Sequence, residues 1–404
     1  MKRSLLTFAS LLALFSCAQG LVCANPQLAS NEGKTEKEWT FLVFVNADND
    51  LDEYGWGDLV EAKKIGSTDK VNLVFQIDRS DGRPCRRFFI EKNHAELIEN
   101  MGEVDMGDYN VLVDFLAWGA ENYPAKHYAL IVWNHGTGWF RRSNMSMLGV
   151  SYDDQSGNYI TTNQLSTATS LIKDTLGRKL DILAFDACLM QMVEVAWAVK
   201  NNVELMVGSE EVIPYDGFAY DTGFEAILAN PEANLRDISR ILVEGYVESY
   251  EDGSQGKEST TLSWVDLGRM ELLAAALDDF VEIAIGRDKE VVASVLQDVQ
   301  HYDLRSNRDL RHFMMLLAAR TSNSAIKLAA NTVIAAFDEF VGFSKWNDGG
   351  ASWHPDLANS HGCAIYFPTR ASAFNDQYLD LDFAKDTQWD AYIRSYYEIQ
   401  SREL

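Results

Sequence analysis

The stretch HYALIVWNHGTGW, residues 127–139, decides how the rest of the chain is read. Tyr128 to Trp133 is an unbroken apolar run of strand length, the pattern of a parallel strand covered on both faces. It passes with no polar lead-in to Asn134, His135 and Gly136. The same pattern recurs at Phe41–Val45, Val71–Ile77, Leu180–Phe185 and Val203–Val207. Between the later runs lie helical stretches such as TTNQLSTATSLIKDTLG, opened by Thr and closed by Gly177. This alternation predicts an α/β fold, a mostly parallel sheet with helices on both faces. Beyond about residue 225 the text turns helical (LRDISRILVEGYVESYED, GRMELLAAALDDFVEIAI, SAIKLAANTVIAAFDEFV). A strand returns near 362–368 and the helix WDAYIRSYYEI follows; EDGSQGKEST reads as a linker-like loop, and residues 230–345 as scaffold.

Composition narrows the partners. The 47% hydrophobic fraction indicates a packed globular chain rather than a disordered one. A formal charge of −25 repels a phosphate backbone, so nucleic acid is excluded as a partner, whereas a cationic substrate or calcium would be attracted. Solubility outside the cytoplasm is the blander reason for such acidity.

The first residues have the plan of a secretory signal: Lys2 and Arg3, an apolar run from Leu5 to Phe15, then small residues. The run is short for a membrane span. Val22-Cys23-Ala24 places cleavage after Ala24, giving a signal peptide over 1–24 and a polar tether over 25–38. Leu14-Phe15-Ser16-Cys17 also resembles a loose lipobox, which would put a lipid anchor on Cys17. Phe15 fits that pattern poorly, so plain export is the reading taken. The expected location is therefore secreted, periplasmic or cell envelope, with the membrane reached only through such an anchor. Three cysteines remain, Cys85, Cys188 and Cys363; an odd number in an exported chain points to a free thiol.

Active sites of open α/β sheets gather at the carboxyl ends of strands. One strand end delivers Asn134-His135-Gly136, the other Asp186-Ala187-Cys188, followed by LMQMVEVAWAVK, read as a helix. Cys188 is expected near that helix's N-terminus, where dipole and free amides favour a thiolate. His135 would serve as its acid/base, and the amides of Gly136 and Cys188 as an oxyanion hole. Taken singly, a buried cysteine is usually a small core residue and a histidine after a strand a turn residue. Taken together at two strand ends, they point to chemistry. A zinc site is the weaker rival, because the seven histidines are scattered without ligand spacing.

The segments WTFLVFVNADNDL, NLVFQIDR, YALIVWNHGTGW, DILAFDACLMQMVEVAW, VGSEEVIPYDGFAY and GCAIYFP together resemble the clostripain family of cysteine peptidases, over nearly the whole chain from Trp39. The resemblance implies a caspase/gingipain-type fold for residues 39–404, with a catalytic core over 39–225 and a helix-rich C-terminal part over 226–404. It places the family's histidine-glycine pair on His135-Gly136 and its nucleophile on Cys188. It implies cleavage of protein or peptide substrates after Arg or Lys.

A guanidinium or ammonium in the P1 pocket, which receives the side chain on the acyl side of the cut, needs buried carboxylates at the pocket base. Asp186 is expected there, joined by Asp216 from the loop SEEVIPYDGFAY as in related enzymes. Relatives cut themselves between the histidine and cysteine strands, which nominates Arg141 or Arg142 as a self-cleavage point. The chemistry requires no cofactor and no metal. Some relatives depend on calcium, so calcium stays open as a ligand. The run Asp48, Asp50, Asp52 opens like an EF-hand loop, but Glu53 and Leu59 occupy positions that need Gly and Glu, so these acids are read as strand-end caps near the cleft. Two other readings stand beside the endopeptidase: an envelope-attached binding protein that kept the fold but lost catalysis, and an acyl transferase using the same dyad.

Overall fold

The computed structural model describes residues 34–139, 149–350 and 356–400. The signal region, Cys17, and Arg141 and Arg142 lie outside the described residues.

The apolar runs form the strands expected of them. β1 (Lys37–Ala47) and α1 (Asp52–Ile65) are followed by β2 (Val71–Arg79), β3 (Arg83–Glu91) and β4 (His94–Gly102). Then come α2 (Tyr109–Asn122), β5 (Ala125–Trp133), β6 (Val150–Asp153), β7 (Asn158–Ile160) and α3 (Thr162–Leu176). β8 (Leu180–Asp186), α4 (Val193–Val199) and β9 (Val203–Gly208) complete the first half. The second half contributes α5 (Thr222–Ala229), α6 (Leu235–Ser249), the strands β10 (Glu251–Gly253) and β11 (Gly256–Lys257), and β12 (Thr260–Asp266). After these come α7 (Met270–Ala284), α8 (Lys289–Asp298), β13 (Asn307–Asp309), α9 (Leu310–Arg320), α10 (Ser324–Phe340), β14 (Val341–Asn347) and β15 (Ala364–Tyr366). The chain closes with α11 (Asp382–Asp386) and α12 (Trp389–Gln400).

The main sheet has nine strands in the order β14-β12-β9-β8-β5-β1-β2-β3-β4. Its centre is parallel (β2-β1-β5-β8-β9) and both edges are antiparallel. Along β1, Phe41, Val43 and Val45 join the core beneath α1, α5 and α6, whereas Leu42 and Phe44 join the larger core beneath α2, α3, α4 and the C-terminal helices. That alternation is the period-two direction of strand side chains. Helix α3 carries the capping box Thr161/Gln164 and ends on Gly177 in the left-handed region at φ 69°, so its start and stop follow from sequence.

The structure refines the expected boundaries. The helix-rich C-terminal part also supplies sheet, because β12 and β14 extend the same nine-stranded sheet. The presumed linker EDGSQGKEST is a hairpin of β10 and β11 with β12 following. The returning strand spans only Ala364–Tyr366 and pairs with β13 outside the main sheet. The last two residues of the supposed tether, Lys37 and Glu38, already belong to β1.

Candidate active site

Strands β5 and β8 are parallel neighbours, with Trp133 opposite Asp186 as their last register pair. His135 and Cys188 each lie two residues beyond that pair, so both emerge at the same carboxyl edge. They line one cavity of about 650 Å³. Gly136 explains how the two strand tips meet. A Cβ on it would stand 2.4 Å from the Cys188 carbonyl oxygen and 3.1 Å from the Cys188 nitrogen, so only a bare backbone fits against the cysteine's own. The sequence assigned this glycine to substrate approach; the structure gives it a packing role as well.

Cys188 does not begin a helix. Leu189 to Met192 intervene before α4, whose cap residue Met192 makes no side-chain capping bond. The turn is tight: Leu189 has φ 63°, an uncommon conformation for a side chain of its size. The expected thiolate stabilisation by a helix terminus is therefore replaced by another device. The Ile213 N–H donates to Sγ at 3.3 Å. Burial works against ionisation and pushes the thiol up to about 11, with the Ile213 hydrogen bond acting in the opposite sense. The half-buried Cys188 contrasts with Cys85 and Cys363, which are buried; all three are free.

His135 Nε2 lies 2.7 Å from Asp50 Oδ1, and the Asp50 side chain is mostly exposed. Among the described residues no hydrogen bond joins His135 to Sγ. The structure thus brings imidazole and thiol to one cavity with the ring turned to Asp50. Asp50 was legible only as one of a run of acids near the cleft. Its neighbours in that run do other work: α1 starts at Asp52, which binds Arg79 and Arg83, and Asp48 accepts from the Gln155 N–H. Among the described residues no group of three or more His, Cys, Asp or Glu side chains is arranged to hold a metal ion.

At the cavity base, Asp186 is 3% exposed and accepts hydrogen bonds from the Phe218 N–H and the Tyr220 hydroxyl, both at 3.0 Å. Gly217, at φ 57°, roofs it so closely that a Cβ would lie 2.8 Å from Oδ2. Burial raises the Asp186 carboxyl to about 7. Asp216 is exposed on the cavity wall, so the two nominated acids share the cavity at different depths. Asp186, Asp216, Glu258 and Asp303 line it, and among the described residues no Lys or Arg does. Tyr54 and Tyr215, which sequence reasoning missed, stack at 5.2 Å and 19° across its mouth. Glu258, Asp303 and Leu304 come from the part read as scaffold, which therefore builds cleft wall.

A fold of this topology with a cysteine and a histidine on adjacent strand ends is the architecture of the C11 cysteine proteases. A secreted C11 cysteine protease from Bacteroides thetaiotaomicron, solved with an irreversible peptide inhibitor, superposes with a TM-score of 0.69 at 21% identity, covering 88% of this chain and 100% of that one. An inactive zymogen C11 protease from Parabacteroides distasonis gives 0.68 at 20% identity, covering 88% and 99%. The clostripain family model matches residues 43–396. The chain belongs to the clostripain family. Clostripain of Hathewaya histolytica is 28% identical over 337 residues, 70% of this chain; the match spans only 62% of that relative's length.

Proposed function

We propose that the protein is an exported cysteine endopeptidase that cleaves peptide bonds after Arg or Lys. Cys188 Sγ attacks the carbonyl carbon and forms an acyl-enzyme, with the departing amine protonated by His135. The amides of Gly136 and Cys188, whose backbones pack against each other, are the donors assigned to the oxyanion. Water then releases the acyl group. Because the resting thiol is held neutral by burial, its proton leaves when substrate draws the imidazole from Asp50 toward the sulfur.

The observation that carries the reading is the pair of facts at the cavity base. Asp186 is a buried carboxyl, and among the described residues no cation reaches it. A substrate guanidinium or ammonium supplies the missing charge, bound to Asp186 below and Asp216 above. The test is a fluorogenic Arg or Lys peptide with and without iodoacetamide, compared between the parent and Asp186→Asn. The expected loss in kcat/KM is at least about a hundredfold, the scale of one buried charged hydrogen bond, with thermal unfolding little changed. Unaltered arginine kinetics in Asp186→Asn, or turnover insensitive to alkylation, overturns it.

Self-cleavage at Arg141 or Arg142 belongs to the same reading. Active protein should run as two bands on a denaturing gel and Cys188→Ala as one; a single band from both removes it.

A further inference from the structure

One buried acid under the cavity has no part in the chemistry above. Asp58, on α1, is 3% exposed. The Trp133 indole N–H donates to its Oδ2 at 2.6 Å. Trp133 is the register partner of Asp186, and both line the cavity, so Asp58 sits directly behind the P1 floor. Several other groups face this spot. Glu61 comes from α1 itself, Asp186 from the end of β8, and Asp216 and the Tyr220 hydroxyl from the loop beyond β9. Lys64, further along α1, is engaged with Asp221 at 2.6 Å and with Glu61 at 3.9 Å. Among the described residues no Lys or Arg forms an ion pair with Asp58 or Asp186.

We propose that Asp58 is a positioning acid for the P1 pocket: with Asp186 it forms a buried carboxyl pair that stays protonated while the pocket is empty and releases a proton when a guanidinium or ammonium enters. The inference rests on the P1 reading above. Two carboxylates buried at one strand end without a counter-ion oppose each other's ionisation. Burial and the nearby Asp186 charge hold the Asp58 carboxyl well above the usual range. Entry of the cation reverses that cost, because its charge compensates the second carboxylate. One carboxyl O–H bond breaks, the proton passes to solvent and the carboxylate remains; nothing is oxidised or reduced. Protons and substrate thus compete for one place. Asp58 does not touch the ligand and acts through Asp186.

The probe is agmatine, a guanidinium on a four-carbon stem, titrated calorimetrically into Cys188→Ala protein in buffers of different ionisation enthalpy. The parent should release protons on binding at about pH 6.5, and its Kd should rise by up to about tenfold per pH unit on the acid side of the midpoint. Asp58→Asn should abolish most of the release and lower the midpoint by about one pH unit or more. Trp133→Phe, which removes the donor that favours ionised Asp58, should raise the midpoint, and it serves if Asp58→Asn does not fold. Proton release and midpoint unchanged in these variants overturn the pairing, provided Asp186→Asn still abolishes binding. Failure of agmatine to bind the parent, or binding indifferent to Asp186→Asn, overturns the P1 reading itself and the pairing with it.

Discussion

Gly136 and Cys188 form the tightest joint in the site, and that joint is testable atom by atom. A methyl at residue 136 would meet the Cys188 carbonyl oxygen at 2.4 Å, so Gly136→Ala must push one strand tip off the other. Overpacking of this kind costs about 1–3 kcal/mol. We expect a lower melting temperature and a larger fall in kcat than in KM, measured on the same preparation. Asp50→Ala should be mild by comparison, changing kcat/KM by less than about tenfold, because the Asp50 carboxylate stands largely in water. Without substrate, the raised Cys188 thiol should react with iodoacetamide more slowly than free cysteine at neutral pH, the rate climbing through the alkaline range. His135 and Cys188 were legible because each follows an apolar run that could only be a central strand. The helix terminus at Cys188 was misread because LMQM looks helical, whereas Leu189 turns left-handed and Gln191 bonds its backbone to Ser209. Asp58 left no signal, since one acid among the several on α1 reads as a solvated one.

At the scale of elements, the loop from Ser209 to Gly217 builds much of the cavity wall. It roofs Asp186 with Gly217, bears Asp216 and reaches α1 through the Tyr54–Tyr215 stack. Stacked rings are worth about 0.5–1.5 kcal/mol beyond their buried area. Tyr215→Ala should therefore raise KM for an arginyl peptide severalfold with kcat nearly kept, and adding Tyr54→Ala should do little more, since one stack is lost only once. The central strands were readable from their continuous apolar runs. The β3–β4 hairpin was not: β4 is exposed along almost its whole length and its sequence, HAELIENMG, carries no apolar run. Strand β14 escaped for the same reason, being at best half-buried at the other edge.

For the whole molecule, the acidity seen in composition continues into the interior. Asp78 is raised to about 8, and Glu194 and Glu211 to about 7, chiefly by burial. Each folded value lies above the unfolded one, so the folded chain binds more protons between roughly pH 4 and pH 8 and its stability declines as pH rises through that window. Melting should accordingly be higher near about pH 5.5 than near about pH 8, the opposite of a protein held by ionised salt-bridged carboxylates; a scan with the reverse slope contradicts this. Beyond residue 225 two sheet strands went unread, because nothing local in a helix-rich text reveals that β12 and β14 return to the same sheet.

The Ile213 amide has a consequence of its own. Under the proposed function, the segment that lines the pocket is also the one whose N–H rests on the sulfur, so side-chain binding and thiol reactivity hang on a single lever. A ligand that merely fills the specificity pocket, with no bond to cleave, should alter how fast the cysteine reacts with a small alkylating agent.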